Sequence, residues 1–392
     1  MQLFIVNGLV LQNNGTFLRG HIGIDQGRIA SLSYGDLPAL SENTPLINAE
    51  HCLVSPGLID THMHGGVGYS FAGEGDSSCS GGWEKLEKRL SSAGVTSILA
   101  TGESLPLDKI FAFMERSLSI AENNSRNLVD IIGIHQEGPY LNKNKKGCHW
   151  EEFIRRADKK EIAQILERAA GFIKVWTMAP ETEENMAAIE TLASSGVSVS
   201  IAHTEADYQT ALAAFSAGAN RLTHTFNAMP PINHRYEGLI TAAWQHGAFM
   251  ELIADGLHVS PTIMRMFINA TDPGKIVLVS DNNELSGMSE GNYIQYNHKL
   301  TIKNSQIRTE EGSLAGSYST LNKYALNLTL CGFSIGQALR AVTENPARSI
   351  GVFEQKGSIA LGKDADIVIL NNQFDVRMTI KGGKTVYKSE QF

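Results

Sequence analysis

Leu53-Val54-Ser55-Pro56-Gly57-Leu58-Ile59-Asp60-Thr61-His62-Met63-His64 is an apolar run that ends on two imidazoles and leads into Gly65, Gly66 and Gly68. A strand alternates its side chains with period two, so His62 and His64 share one face. Two imidazoles converging where a strand enters a glycine-rich loop can grip a divalent metal ion. His-x-His alone is a modest signal. It gains weight because further His, Asp and Glu residues close later apolar runs.

The runs number eight: 53–64, 96–103, 131–137, 172–181, 197–203, 221–227, 249–258 and 275–281. Helix-like segments such as 82–92, 158–170, 184–195 and 207–217 separate them. Eight strand-then-helix units predict an α/β fold, a (β/α)8 TIM barrel with its reactive groups at the C-terminal strand ends. A doubly wound open sheet is the rival. It is disfavoured because no G-x-G-x-x-G turn follows the first strand.

The two ends of the chain have a different texture. Phe4-Ile5-Val6 and Leu9-Val10-Leu11 flank Asn7-Gly8, and Ile22-Gly23-Ile24 and Arg28-Ile29-Ala30 flank Asp25-Gln26-Gly27, reading as short strands joined by turns. Ile367 to Leu370 and Val376 to Ile380, before Gly382-Gly383, read alike. The expectation is a small β-sandwich domain formed from 1–53 together with 350–392, around a barrel of 54–349.

Of the 392 residues, 42% are hydrophobic and 19% charged, which supports a sizeable core and argues against disorder. A net charge of -8 argues against a broad nucleic-acid-binding surface, though not against one phosphate held locally. The four cysteines (Cys52, Cys79, Cys148, Cys331) form no Cys-x-x-Cys pair and read as free thiols in a reducing compartment. Neither a signal peptide nor a membrane span is visible, so a soluble cytoplasmic protein is expected.

The third run ends Ile134-His135-Gln136-Glu137-Gly138-Pro139, and a carboxylate there is costly to bury unless a cation pairs with it. Later runs end at His203, His224, His258 and Asp281. Each has a plainer reading. A strand-end histidine is often a hydrogen-bonded structural residue, and Asp281 could be a helix N-cap. Taken together, however, that reading needs separate excuses at six positions, whereas one or two metal ions explain all of them. A metal held by imidazole and carboxylate lowers the pKa of bound water from about 15.7 towards 7, and a nearby aspartate can then shuttle the proton. This chemistry suits hydrolysis of an amide or ester, not hydride or phosphoryl transfer.

With those residues in view, the chain resembles the amidohydrolase superfamily and, within it, the N-acetylglucosamine-6-phosphate deacetylase family, over nearly its whole length. The general marks are 56–64 and the closing Gly357-Ser358-Ile359-Ala360-Leu361-Gly362-Lys363-Asp364-Ala365-Asp366. More specific are His135-Gln136-Glu137-Gly138-Pro139-Tyr140-Leu141-Asn142, Lys145-Lys146-Gly147-Cys148-His149, His224-Thr225-Phe226-Asn227-Ala228-Met229 and Ala254-Asp255-Gly256-Leu257-His258.

The resemblance implies Glu137, His203 and His224 as ligands of a main divalent ion, with His62 and His64 as the extra ligands of members that bind two. Glu137 stands where many amidohydrolases place a carboxylated lysine, and Lys174 reads more simply as a structural lysine. His149 is similar to the residue that hydrogen-bonds the acetyl carbonyl, Asp281 to the acid/base and His258 to a sugar contact. The Asn227-Ala228 backbone and Arg235 resemble the phosphate site, with the arginine reaching in from a second subunit of a homodimer; a solvated loop cation is the alternative. Cys148 and the Leu314-Ala315-Gly316 turn match further substrate contacts. The metal itself stays open between zinc, ferrous iron, manganese and cobalt.

Three departures touch the substrate end. Asn282-Asn283-Glu284-Leu285 replaces small apolar residues after Asp281, His234-Arg235-Tyr236-Glu237-Gly238 replaces Arg-Glu-Pro-Gly, and Ala315 stands where serine is common. The leading expectation is therefore a metal-dependent deacetylase of an amino-sugar 6-phosphate, with the gluco or galacto epimer open. Another amidohydrolase, such as a cyclic-amide hydrolase or dipeptidase, is the second reading, and a non-catalytic barrel protein the third.

Overall fold

A computed structural model describes residues 3–36, 44–73, 82–123, 126–295 and 298–392; Cys79 lies outside them. Eight parallel strands pair in chain order: β1 (Leu58–Met63), β2 (Val95–Gly102), β3 (Asp130–Glu137), β4 (Ile173–Met178), β5 (Ser198–Ile201), β6 (Ala219–Leu222), β7 (Phe249–Leu252) and β8 (Ile276–Leu278). Every residue of β1 and β2 is buried, because a barrel strand has side chains inside and helices outside.

The seam between β8 and β1 is closed at both ends. Beyond β8, Asp281 N–H donates to the His62 carbonyl at 2.9 Å and His64 N–H to the Asn282 carbonyl at 2.8 Å. At the other end, Leu278 and Ile59 N–H groups donate to the Ala341 and Val342 carbonyls. The (β/α)8 barrel expected from the eight runs is the observed fold, and its closure brings the ends of β1 and β8 together.

The helices match the expected segments to within their caps. Asp158 caps Lys159–Ala169, Thr182 caps Glu183–Ser194 and Asp207 caps Tyr208–Ser216, each accepting free N–H groups of the first turn. Their apolar faces, such as Ile162, Ile165, Ile189, Leu192 and Phe215, join one large core with the strands.

Both chain ends form an eight-stranded mixed sheet. Its path runs from Lys384–Lys388 through Val376–Lys381, Ile367–Leu370, Leu53–Pro56, Leu3–Leu11 and Phe17–Asp25 to Arg28–Tyr34, with Leu46–Asn48 beside Leu3–Leu11. Strand periodicity divides the work of its two faces. Ile367 and Ile369 enter the sheet's own core with Ile5, Ile22 and Val54, while Val368 and Leu370 join the barrel core. Lys356 bridges Asp366 at 2.6 Å and Asp130 at 3.1 Å, and Lys381 also reaches Asp130, which ties the closing motif to the foot of β3.

The structure differs from the sequence reading in three places. Asn7-Gly8 is a bulge inside one strand, Leu3–Leu11, rather than a turn between two. Asn7 takes the left-handed region (φ 65°), and a Cβ on Gly8 would stand 2.3 Å from Val54 Cγ2. The first run splits at Gly57: Leu53–Pro56 belongs to the terminal sheet, and the chain crosses into the barrel where a Cβ would lie 2.2 Å from Thr96 Oγ1. After β8 a three-stranded antiparallel sheet (Gly291–Gln295, His298–Lys303, Gln306–Thr309) intervenes, which the run pattern did not reveal. No described helix is long and apolar enough to cross a membrane.

Candidate metal centre

Glu137 closes β3 and stands at the centre of the barrel mouth, buried to 3% exposure. Its Oε1 lies 3.1 Å from His224 Nε2 and 3.3 Å from His203 Nε2, and those two nitrogens are 3.0 Å apart. Its Oε2 lies 3.3 Å from His64 Nε2 and 3.6 Å from His62 Nε2, which are 3.2 Å from each other. One carboxylate thus faces an imidazole pair on either side. Asp281 closes the circle, its Oδ1 3.4 Å from His62 and 3.5 Å from His64.

The backbone is bent to achieve this. His203, His224 and Asp281, just beyond β5, β6 and β8, all have positive φ (46°, 30° and 51°). That region is unfavourable for side chains with a Cβ, and tertiary contacts must hold them there.

Hydrogen bonds on the far nitrogens sort the imidazoles. His203 Nδ1 donates to the Lys145 carbonyl at 2.7 Å and His62 Nδ1 to Glu251 Oε2 at 2.9 Å, so in the neutral ring the Nε2 of each carries the lone pair. His149 is opposite: its Nδ1 accepts the Ser104 N–H at 3.3 Å, which puts the proton on Nε2, 3.3 Å from Glu137 Oε2. By this sorting His203 and His62 are ligand-type imidazoles and His149 is a donor.

The donor set fits one or two divalent ions. Tetrahedral bonds of about 2.0–2.1 Å place neighbouring donors about 3.3–3.4 Å apart, close to the separations around Glu137. Charge gives the same result. Burial opposes ionisation of Glu137 and Asp281, yet the imidazoles outweigh it, holding Glu137 well below the carboxylate range and Asp281 at about 2. Burial likewise opposes charge on His62 and His64, and Asp281 and Glu137 override it, pushing His64 up to about 10. Two buried carboxylates require positive charge between them, which protons on imidazole or a metal ion can supply.

A third grouping, His62 with His135 and Glu251, is no ion site. His135 donates to the Thr61 carbonyl and accepts from the Thr177 hydroxyl, leaving neither nitrogen free. Burial and then the His62 charge push its pKa down to about 3. Lys174 lies outside this mouth, its Nζ donating to the Gly171 carbonyl.

The remaining candidates divide. Cys148 Sγ meets the Leu314 carbonyl at 3.5 Å, and Asn283 Nδ2 holds the Ala315 carbonyl at 2.7 Å. A Cβ on Gly316 would come within 2.9 Å of the Asp281 carbonyl, so the 314–316 turn lies against the Asp281 segment. Asn227 donates both its N–H and Nδ2 inward to the His224 carbonyl, and the Ala228 carbonyl accepts from Thr204 N–H. His258 pairs with Asp255 at 2.7 Å rather than with the cluster. Arg235 stands on the exposed loop 231–237, its Nε against His234. In the departing segment, burial and then Glu103 push the Glu284 carboxyl up to about 7, and Glu103 itself approaches His64 Nδ1 at 3.9 Å.

Sequence reasoning missed Glu251 and Arg221, both fully buried, which pair at 2.8 Å between β7 and β6. The signal was present: one charge inside each of two consecutive apolar runs, opposite in sign, neither affordable without a partner.

A closed parallel barrel whose strand ends gather imidazoles around a shared carboxylate defines a (β/α)8 metal-dependent hydrolase. The Amidohydrolase family profile matches residues 53–386. The chain is 31% identical to N-acetylglucosamine-6-phosphate deacetylase of Bacillus subtilis, over 99% of this chain and 98% of the relative. It is 32% identical to N-acetylgalactosamine-6-phosphate deacetylase of Escherichia coli O157:H7, over 83% and 85%. The solved N-acetyl-D-glucosamine-6-phosphate deacetylase of Mycobacterium smegmatis, a mutant in complex with N-acetyl-D-glucosamine-6-phosphate, superposes with a TM-score of 0.88, at 29% identity over 99% of both chains. The chain belongs to the N-acetylglucosamine-6-phosphate deacetylase family of the amidohydrolases.

Proposed function

We propose that this protein removes the N-acetyl group from an amino-sugar 6-phosphate, converting N-acetylglucosamine 6-phosphate and water into glucosamine 6-phosphate and acetate. The observation that carries this reading is Glu137 standing between two imidazole pairs with Asp281 and His149 beside it. Glu137, His203 and His224 would hold the main ion, and His62 and His64 with the second Glu137 oxygen another. A divalent ion bound there supplies Lewis acidity, polarising a carbonyl and acidifying water.

The chain's own groups account for the remaining steps. His149 donates Nε2–H to the acetyl oxygen, where negative charge develops as the carbonyl carbon becomes tetrahedral. Asp281, a carboxylate at rest, takes the proton of the attacking water on Oδ1 and delivers it to the sugar nitrogen as the C–N bond breaks. Cys148 and the 314–316 turn line the acyl side. Asn227, Ala228 and Arg235 serve the phosphate, and His258, oriented by Asp255, serves the sugar.

The loop carrying Arg235 also exposes Ile232 and Tyr236, which supports a homodimer in which that arginine completes the neighbouring site. A cytoplasmic location accords with free thiols and a phosphorylated substrate.

The galacto epimer is the second reading, favoured by comparable identity to an N-acetylgalactosamine-6-phosphate deacetylase and by the altered segment at Glu284. Acetate release from both epimeric 6-phosphates by the metal-loaded protein tests both readings. Turnover of neither, in protein shown to carry its metal, would refute the function. An Asp281→Asn variant as fast as the parent would remove Asp281 from the mechanism.

A further inference from the structure

The two histidines beside the second Glu137 oxygen are held very differently. Among the described residues His64 Nδ1 has no hydrogen-bond partner, Glu103 Oε1 standing 3.9 Å away. His62 Nδ1 is clamped by Glu251 Oε2 at 2.9 Å, with both side chains fully excluded from solvent. Glu251 is itself over-determined. Its Oε2 also accepts the His224 backbone N–H at 3.2 Å, and its Oε1 meets the Arg221 Nε at 2.8 Å. Arg221 in turn reaches the Ser349 hydroxyl at 2.7 Å and the Thr61 hydroxyl, one residue before His62. A charged pair is thus built into the barrel floor, directly behind one ligand-type imidazole.

Such a pair is an expensive way to stabilise a barrel. Buried ion pairs recover little more than their desolvation cost, and apolar side chains of equal volume do as well or better. What a carboxylate does there that leucine cannot is hold an N–H. It holds the imidazole in one tautomer and one orientation and makes its other nitrogen a better donor to a metal.

We propose that Glu251, anchored by Arg221, is a positioning residue that fixes the His62 imidazole and so tunes the affinity of the His62/His64 half-site for a divalent ion. The inference rests on the reading of His62 and His64 as ligands. Ion content can be measured apart from acetate release, so its failure is distinguishable from failure of the proposed activity.

The experiment titrates zinc into the metal-free full-length protein and measures bound ion per subunit by plasma emission, with folding followed by circular dichroism. Parent protein is expected to hold two ions. Glu251→Gln is expected to keep the first and bind the second about 10- to 100-fold more weakly. Because that change strands the buried guanidinium, the paired variant Glu251→Gln with Arg221→Met is measured beside it and is expected to show the same selective loss. In a His62→Gln background, expected to hold one ion, adding Glu251→Gln should weaken that ion less than about tenfold, since the amide oxygen can still accept the His224 N–H.

A paired variant that retains two ions at parental affinity would overturn the proposal, as would a parent that saturates at one. Equal weakening of both ions would also overturn it, because that marks general support of the floor rather than positioning of His62.

Discussion

His203 Nε2 and His224 Nε2, from adjacent strand ends, stand 3.0 Å apart with Glu137 Oε1 within 3.3 Å of both. Three donors this close need a proton or a metal ion between them, and the proposed function puts a metal ion there. Replacing His224 by glutamine is expected to lower ion content by at least one per subunit and acetate release by about 10³-fold, since several kcal/mol of charge stabilisation go with the ion. Plasma emission and an acetate assay on the same sample check this. A variant that loses its ion while keeping its rate would remove the metal from the reaction.

His149 offers a proton where His203 offers a lone pair, and the distinction is testable. His149→Phe keeps an aromatic ring, somewhat larger, and deletes the donor. Its kcat should fall about 10²- to 10³-fold, the cost of losing one oxyanion donor, with ion content unchanged. Loss of ion from this variant would instead make His149 a ligand.

Arg235 lies on an exposed loop, so a phosphate role shows best in a comparison of substrates. Arg235→Ala should raise KM for the 6-phosphate at least tenfold and leave turnover of the unphosphorylated N-acetyl sugar unaltered. If the arginine acts across a dimer, mixing this variant with Asp281→Asn should restore activity. Half of the re-paired dimers are then mixed with one complete site each, so about a quarter of the parental rate is expected. No recovery on subunit exchange would confine Arg235 to its own chain.

The Asp366 carboxylate predicts an acid-side stability effect. Burial opposes its charge, but Lys356 and Lys381 outweigh that and hold its pKa below the usual value. The unfolded chain therefore binds this proton more readily than the folded one. The stabilisation is complete above an unfolded pKa of about 3.9 and disappears as pH falls through the lower folded value. Asp366→Asn, which breaks a buried pair, should cost on the order of 3 kcal/mol at pH 7, with the gap in Tm closing below about pH 4. A gap independent of pH would show that packing, not charge, is what Asp366 contributes.

Much of this architecture was legible before the fold. Alternating strand and helix runs announce a barrel because each pattern follows from local geometry: period two along a strand, 3.6 along a helix. Acidic and imidazole side chains at 62, 64, 137, 203, 224 and 281 stood out because polar groups at the ends of buried strands need partners. The Asn7-Gly8 bulge misled for a local reason too. The same dipeptide serves a hairpin turn or a bulge, and only pairing with Phe17–Asp25 selects between them.

The amino-acid order by itself determined the eight strand-then-helix units of the barrel, the caps that bound the helices and the kinds of donor available, since these depend on residues within a few positions of one another. Tertiary structure alone decided that Glu137 would be shared by two imidazole pairs, that Ser104 and Lys145 would give His149 and His203 opposite tautomers, and that Arg221 would meet Glu251 behind His62. Those contacts join residues between 30 and 189 positions apart, counted from Arg221–Glu251 and His62–Glu251. Their geometry is set by barrel closure, which no local pattern encodes.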